Sequence, residues 1–198
     1  MSHRIITIER EYASGGREIG EMIAERLGIP CYNREILQMA SERCNVSMEY
    51  LETAEEAAPK SFLYTLMLTS SPTRTIEENL PLSDKVYIIE TNIIRELAEK
   101  EPCVIVGRCA DFILQDRTDC LKVFVHADMK FRADRIVRVY GEREKSPEAR
   151  LKEKDKRRAA YYRFYTDTKW GDAANYHIAL DSGVIGIEKC AKIIESLA

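Results

Sequence analysis

The stretch EREYASGGREIG (residues 9–20) decides how the chain is read. It follows an apolar run at residues 4–8, which reads as a buried strand. It precedes apolar positions Ile19, Met22, Ile23 and Leu27, which recur at helical spacing until Gly28. A glycine pair between a strand and a helix is the setting of a phosphate-binding loop, GxxxxGK[ST]. In that loop the backbone N–H groups and the helix N-terminus cradle phosphates, the lysine follows the transferring group, and the hydroxyl holds Mg²⁺. The corresponding window here is Glu11-Tyr12-Ala13-Ser14-Gly15-Gly16-Arg17-Glu18. Gly15 and Gly16 supply unusual backbone angles, Arg17 supplies the cation, and the helix keeps its dipole. Glu18 replaces the hydroxyl, which makes it the candidate metal ligand. The window therefore reads as a cradle of Ala13, Ser14, Gly15, Gly16, Arg17 and Glu18. A Gly-Gly turn that merely caps a helix looks similar, but its place after the first strand favours phosphate.

Outward from this loop, strands and helices alternate. Residues 30–32 suggest a short second strand and 34–44 a helix. Residues 45–82, interrupted by Pro59, Pro72 and Pro81, read as a helical, mobile excursion. Residues 83–101 carry an apolar face of Val86, Ile89, Ile93, Ile94 and Leu97, with Ser83 as N-cap. CVIVG (103–107) is continuous enough to be buried on both sides. Then come a short helix at 110–115, a strand at 121–126, helices at 129–140 and 146–165, a strand at 176–180, and a closing helix at 186–197. Such alternation predicts an α/β fold: a mostly parallel five-stranded sheet between helical layers, with ligands beyond the carboxyl ends of the strands.

With 198 residues, the chain is expected to form a single domain over residues 1–198. No apolar stretch approaches the roughly 20 residues of a membrane helix, nothing resembles an export signal, and a cytoplasmic location is expected. The six cysteines lack CxxC pairs and the three histidines lack ligand spacing. The net charge of −3 hides an asymmetry, because residues 130–163 carry 13 basic and 6 acidic side chains. That block attracts phosphates. Nucleic acid is a disfavoured partner, since the whole chain is acidic and no recognition module is evident.

Taken together, these segments resemble the nucleoside monophosphate kinases, most closely the cytidylate kinase-like branch of the P-loop kinases. The segments that carry the resemblance are residues 4–28, LGIPCYNREIL (27–37), VIVGRCADFIL (104–114), VFVHADMKFRADRI (123–136), EKDKRRAAYYRFYT (153–166) and the terminal YHIALDSGVIGIEKCAKII. The resemblance implies ATP as phosphoryl donor with Mg²⁺, and a small nucleotide acceptor, CMP or dCMP. It implies an acceptor-binding excursion at about 34–82 and a lid at about 145–170. Arg108 matches the arginine of the family's GRD element. Cys109 replaces its aspartate, for which Asp111 is the substitute, and Asn33 matches the aspartate of the LDTG element. Arg17 matches the loop lysine. Lys154, Arg157, Arg158 and Arg163 stand in the lid, with Arg158 and Arg163 as catalytic candidates. Tyr161, Tyr162, Tyr165 and Trp170 are expected chiefly to pack that lid.

Two alternatives stay open at this stage. The acceptor is another small molecule, since Asn33 and Cys109 alter the reading groups, or the chain binds nucleotide as a regulatory protein without turnover.

Overall fold

A computed structural model describes residues 3–44, 46–49, 51, 82–141 and 145–198. The excursion expected at 45–82, with its three prolines, falls almost wholly outside the described residues. Among the described residues no helix is long and apolar enough to cross a membrane.

Five parallel strands form one sheet in the order β2-β3-β1-β4-β5. They are β1 (Ile5–Arg10), β2 (Cys31–Tyr32), β3 (Cys103–Val106), β4 (Cys120–His126) and β5 (Ile178–Asp181). The helices are α1 (Gly16–Leu27), α2 (Arg34–Cys44), α3 (Leu82–Lys100), α4 (Ala110–Ile113), α5 (Met129–Arg135), α6 (Pro147–Thr166), α7 (Ser182–Ile185) and α8 (Ile187–Glu195). β1 is central, paired with β3 from Ile5 opposite Cys103 and with β4 from Ile5 opposite Cys120. Alternation along the strands sends Ile6, Ile8, Val104, Val106, Val123 and Val125 to one face, against Ile19 and Ile23 of α1 and Ala191 and Ile194 of α8. Ile5, Cys103, Ile105 and Cys120 meet α2 and α3 through Leu37, Ile93 and Ile94 on the other. The sheet is thus buried on both faces, as parallel sheets are.

Several boundaries differ from the sequence expectation. α3 is already helical at Leu82, so Ser83 lies inside the helix and does not cap it. The helix expected at 129–140 ends as α at Arg135 and continues as a π-helical turn, Ile136–Tyr140. Periodicity cannot separate a π turn from an α turn over five residues. β5 begins at Ile178; just before it, the His177 amide donates to the Lys122 carbonyl at 2.8 Å and Tyr176 packs its ring on Phe124, 4.9 Å between centroids. Ser146 does cap α6, accepting from the Ala149 amide, with Pro147 in the first turn.

α6 buries Leu151, Tyr162 and Thr166, and few of its other residues are buried. A helix polar on nearly every side rests on few apolar contacts, which suits an element that covers a site.

Candidate functional site

The loop after β1 is built by backbone geometry. Ala13 (φ 61°) and Gly15 (φ 87°) both take left-handed angles, and Gly15 is the N-cap of α1 without any side-chain cap. The first-turn amides are therefore not claimed by a capping side chain, which is the arrangement that receives an anion. Gly16 is required by close approach: a Cβ there would stand 2.6 Å from Cβ of Arg10. Ser14 is buried. Its Oγ donates to the Glu11 carbonyl at 2.9 Å, and its own carbonyl accepts from Ser182 Oγ at 2.5 Å. The residues expected to form the cradle, Ala13 to Glu18, do form one turn. Within it, Arg17 is 59% exposed and its Nε donates to Glu21 at 2.7 Å. The Glu18 carboxylate is paired with Arg135 at 2.9 Å.

Beside the loop lies a cleft of about 220 Å³. It sits beyond the carboxyl ends of the strands, where α/β sheets bind ligands. β1 contributes Glu9 and Arg10, the β2 end contributes Asn33, the turn after β3 contributes Arg108 and Cys109, and α6 contributes Lys154, Arg157, Arg158, Tyr161 and Tyr162, with Trp170 closing the wall. Among these described residues five cations face one carboxylate, so the cleft is suited to polyanions. Arg158 reaches across it, with Nη1 donating to the Arg10 carbonyl at 3.0 Å and its guanidinium 5.5 Å from the Tyr12 ring centroid.

The turn after β3 holds three successive left-handed residues, Gly107 (φ 80°), Arg108 (φ 60°) and Cys109 (φ 55°). Two of them are not glycine, and such backbone strain clusters at ligand sites. The turn aims Arg108 inward. Its Nε donates to the Asn33 carbonyl at 3.1 Å, and Nη1 pairs with buried Glu90. Asn33 and Arg108, both expected at the acceptor, are thereby brought together. Cys109 is buried, and burial pushes its thiol well above the ordinary range, so it acts as a wall rather than a nucleophile.

Asp111 and Arg163 sit differently. Arg163 is exposed and lies outside the cleft lining. Asp111 is buried and accepts from Tyr162 Oη at 2.7 Å, while Oδ1 has no hydrogen-bond partner. Its carboxyl is pushed up to about 7, first by burial and then by the charge of Glu9. A carboxyl with a raised folded-state pKa holds more protons when folded. The contribution of Asp111 to stability is therefore expected to fall as pH rises from the ordinary value of 3.8 to about 7, and to level above it. Asp111→Asn should flatten that slope. Urea midpoints measured below and above the window check this, and an equal drop in both proteins would contradict it.

α6 is fastened to the loop by a knot that the sequence did not reveal. Asp155 on α6 accepts from the Tyr12 amide at 2.7 Å and from Arg132 Nη1 at 2.5 Å. Arg132, with a side chain only 7% exposed, also stands 3.4 Å from Glu11. Asp155→Ala removes the acceptor of the Tyr12 amide and the shorter of two carboxylate contacts of Arg132, leaving Glu11 as its counter-charge. The expected cost is about 1.5–3 kcal/mol, read from urea unfolding. A loss of about 0.5 kcal/mol, as for exposed pairs, would show that the knot does not hold the lid. The aromatics also pack the lid: Tyr165 stacks on Tyr87, 3.9 Å between centroids and 11° apart, and its Oη donates to Asp84.

The uncapped N-terminus of α1 is a place that an anion such as a nucleotide phosphate would fit. Mg²⁺ takes most of its ligands from phosphates and water, so the protein need supply only one or two oxygens. Glu18 stands in the right turn to do so, with its carboxylate held by Arg135 in this structure. Bound Mg²⁺ would neutralise phosphate charge there.

Glu9, Arg10, Glu90, Arg132 and Asp155 are site residues that the motifs did not single out. Glu9 and Arg10 carried a usable signal, since they end an apolar strand with two charges at its ligand-facing end.

Comparison with known proteins agrees with this geometry. An uncharacterized protein from Eubacterium ventriosum is similar over 97% of this chain and 96% of its own, at 29% identity and a TM-score of 0.70. Shikimate kinases from Bacteroides thetaiotaomicron (15% identity, TM-score 0.56, 98% of this chain and 96% of that one) and Acinetobacter baumannii (14%, 0.53, 98% and 91%) share the fold. Among curated proteins none matches the chain. The cytidylate kinase-like family matches residues 5–184. With a P-loop kinase fold and a family match across nearly its full length, the chain belongs to the cytidylate kinase-like family.

Proposed function

We propose that the protein transfers the terminal phosphoryl group of ATP to a nucleoside monophosphate, with CMP or dCMP as acceptor. The observation that carries this reading is the cleft itself: five cations, three of them on one lid helix, beside an uncapped helix N-terminus. Phosphoryl transfer asks the protein mainly to hold two anions in line and to place cations where charge develops. In this reading, the Ala13–Glu18 turn holds the donor phosphates. Arg108, anchored by Glu90 and the Asn33 carbonyl, holds the acceptor. Lys154, Arg157 and Arg158 cover the transferring group, and α6 excludes water that would otherwise take it. Asp111 serves from behind by fixing Tyr162, while Arg163 stands exposed on the same helix, off the cleft lining.

A second reading keeps the kinase but changes the acceptor, and Cys109 favours it. A buried thiol stands where the family's aspartate reads the base, and the shared fold extends to shikimate kinases. Coupled ADP release, measured over nucleoside monophosphates and then over small hydroxy acids and sugar phosphates, separates the two. ADP release that depends on CMP or dCMP supports the first. Release only with a non-nucleotide acceptor establishes the second, and nucleotide-dependent thermal stabilisation without any release leaves a binding protein.

A further inference from the structure

The cleft contains a single carboxylate among its described lining residues, and it comes from β1 rather than from the turn after β3. Glu9 is 4% exposed. Its Oε2 accepts from Trp170 Nε1 at 3.1 Å and stands 3.9 Å from Arg10 Nη1. Both contacts fall on Oε2, which leaves Oε1 to accept from a ligand. Burying an ionised carboxylate is costly unless it is well paired. One neutral indole donor and one distant guanidinium are modest compensation, so the position is better suited to a third donor arriving with a ligand. Trp170 and Tyr161 line the same cleft and offer flat ring surfaces, and the cations take the phosphate end. Asp111, expected to replace the aspartate that Cys109 displaces, is off this lining and engaged by Tyr162.

We propose that Glu9 is the specificity-determining residue of the acceptor site, accepting a hydrogen bond from an exocyclic amino group of the acceptor's base. This rests on the reading of the cleft as a nucleotide acceptor site. An ionised carboxylate only accepts. An amino group therefore gains a charge-assisted bond, whereas an oxo group at the same place sets oxygen against oxygen and leaves Glu9 unpaired. Sites built around such a buried polar group reject the wrong analogue strongly, and about 10²-fold is expected here.

The experiment is ADP release with CMP and UMP for the wild type, Glu9→Gln and Glu9→Asp, each checked for cooperative thermal unfolding. The wild type is expected to prefer CMP by about 10² in kcat/KM. Glu9→Gln, whose amide can also donate, should bring the ratio to about tenfold or less, with KM for ATP unchanged. Glu9→Asp keeps the charge and should keep the preference at a raised acceptor KM. An unchanged ratio in Glu9→Gln, a wild-type preference for UMP, or loss of the preference in both variants overturns the assignment to Glu9. No turnover by the wild type with any nucleoside monophosphate overturns the nucleotide reading of the cleft, and the inference with it.

Discussion

Arg158→Ala is expected to lower kcat/KM by about 10²–10³-fold while the protein remains folded. Arg158 is the α6 residue that spans the cleft. It grips the Arg10 carbonyl at 3.0 Å and lies over the Tyr12 ring, so its guanidinium stands between the phosphate loop and the acceptor side. A cation held there by the loop itself needs little reorganisation when charge develops on the transferring group. Arg158→Lys restores the charge but not the planar fork, so it should recover only part of the loss. Arg163 supplies the internal contrast. It shares the helix but is exposed and off the cleft lining, and Arg163→Ala should cost much less. Steady-state kinetics on the three variants checks the ranking, and equal losses for Arg158 and Arg163 would refute it.

Arg17→Ala should lose about 10² in kcat/KM for ATP. In this structure Arg17 is bonded to Glu21, one turn along α1, and both side chains are about half exposed. An exposed i,i+4 pair is worth only about 0.3–0.5 kcal/mol. A charge-assisted bond to phosphate is worth about 1.5–3 kcal/mol, so bound ATP outcompetes Glu21 for the guanidinium. Two consequences follow. Glu21→Gln should leave turnover intact or slightly raised, and Arg17→Ala should leave stability almost unchanged. Near-normal ATP kinetics in Arg17→Ala would show that Arg17 is only a helix-surface cation. The partner would then have to be sought in Arg135, whose guanidinium carbon lies 3.8 Å from where a Gly15 Cβ would stand.

What the sequence revealed and what it withheld follow from the range of the interactions. α1 was legible end to end, since both of its limits are set locally by Gly15-Gly16 and by Gly28 in a left-handed C-cap. The buried strands were legible because CVIV and VFV are apolar without interruption. The left-handed turn before α1 was legible because a glycine pair between strand and helix marks it, whereas Arg108 was singled out only through the resemblance, and its place beside Asn33 is set by the turn after β3. The Asp155–Arg132–Tyr12 knot was not, for it joins residues 23 and 143 positions apart. Arg132 and Asp155 each look like one more charge in a basic segment, and Tyr12 takes part through its backbone amide. Glu9 was missed for a different reason: its place at the end of an apolar strand was a usable signal, but a glutamate there also reads as the start of a loop, and the sheet decides that it lines the cleft. Asp111 was legible as a residue near the acceptor, but not its direction, which Tyr162 sets from the lid.

Nucleotide is expected to occupy the cleft between the phosphate loop and α6. The chain has one tryptophan. That residue, Trp170, lines this cleft and is bonded to Glu9. Its emission therefore reports on the site without a label. Titration with CMP in the presence of a nonhydrolysable ATP analogue and Mg²⁺ should give a saturable change, half-complete between about 1 μM and 1 mM, and weakened at least about tenfold in Arg158→Ala. Calorimetric binding of both nucleotides with Trp170 emission unmoved, or no binding at all, would contradict the account.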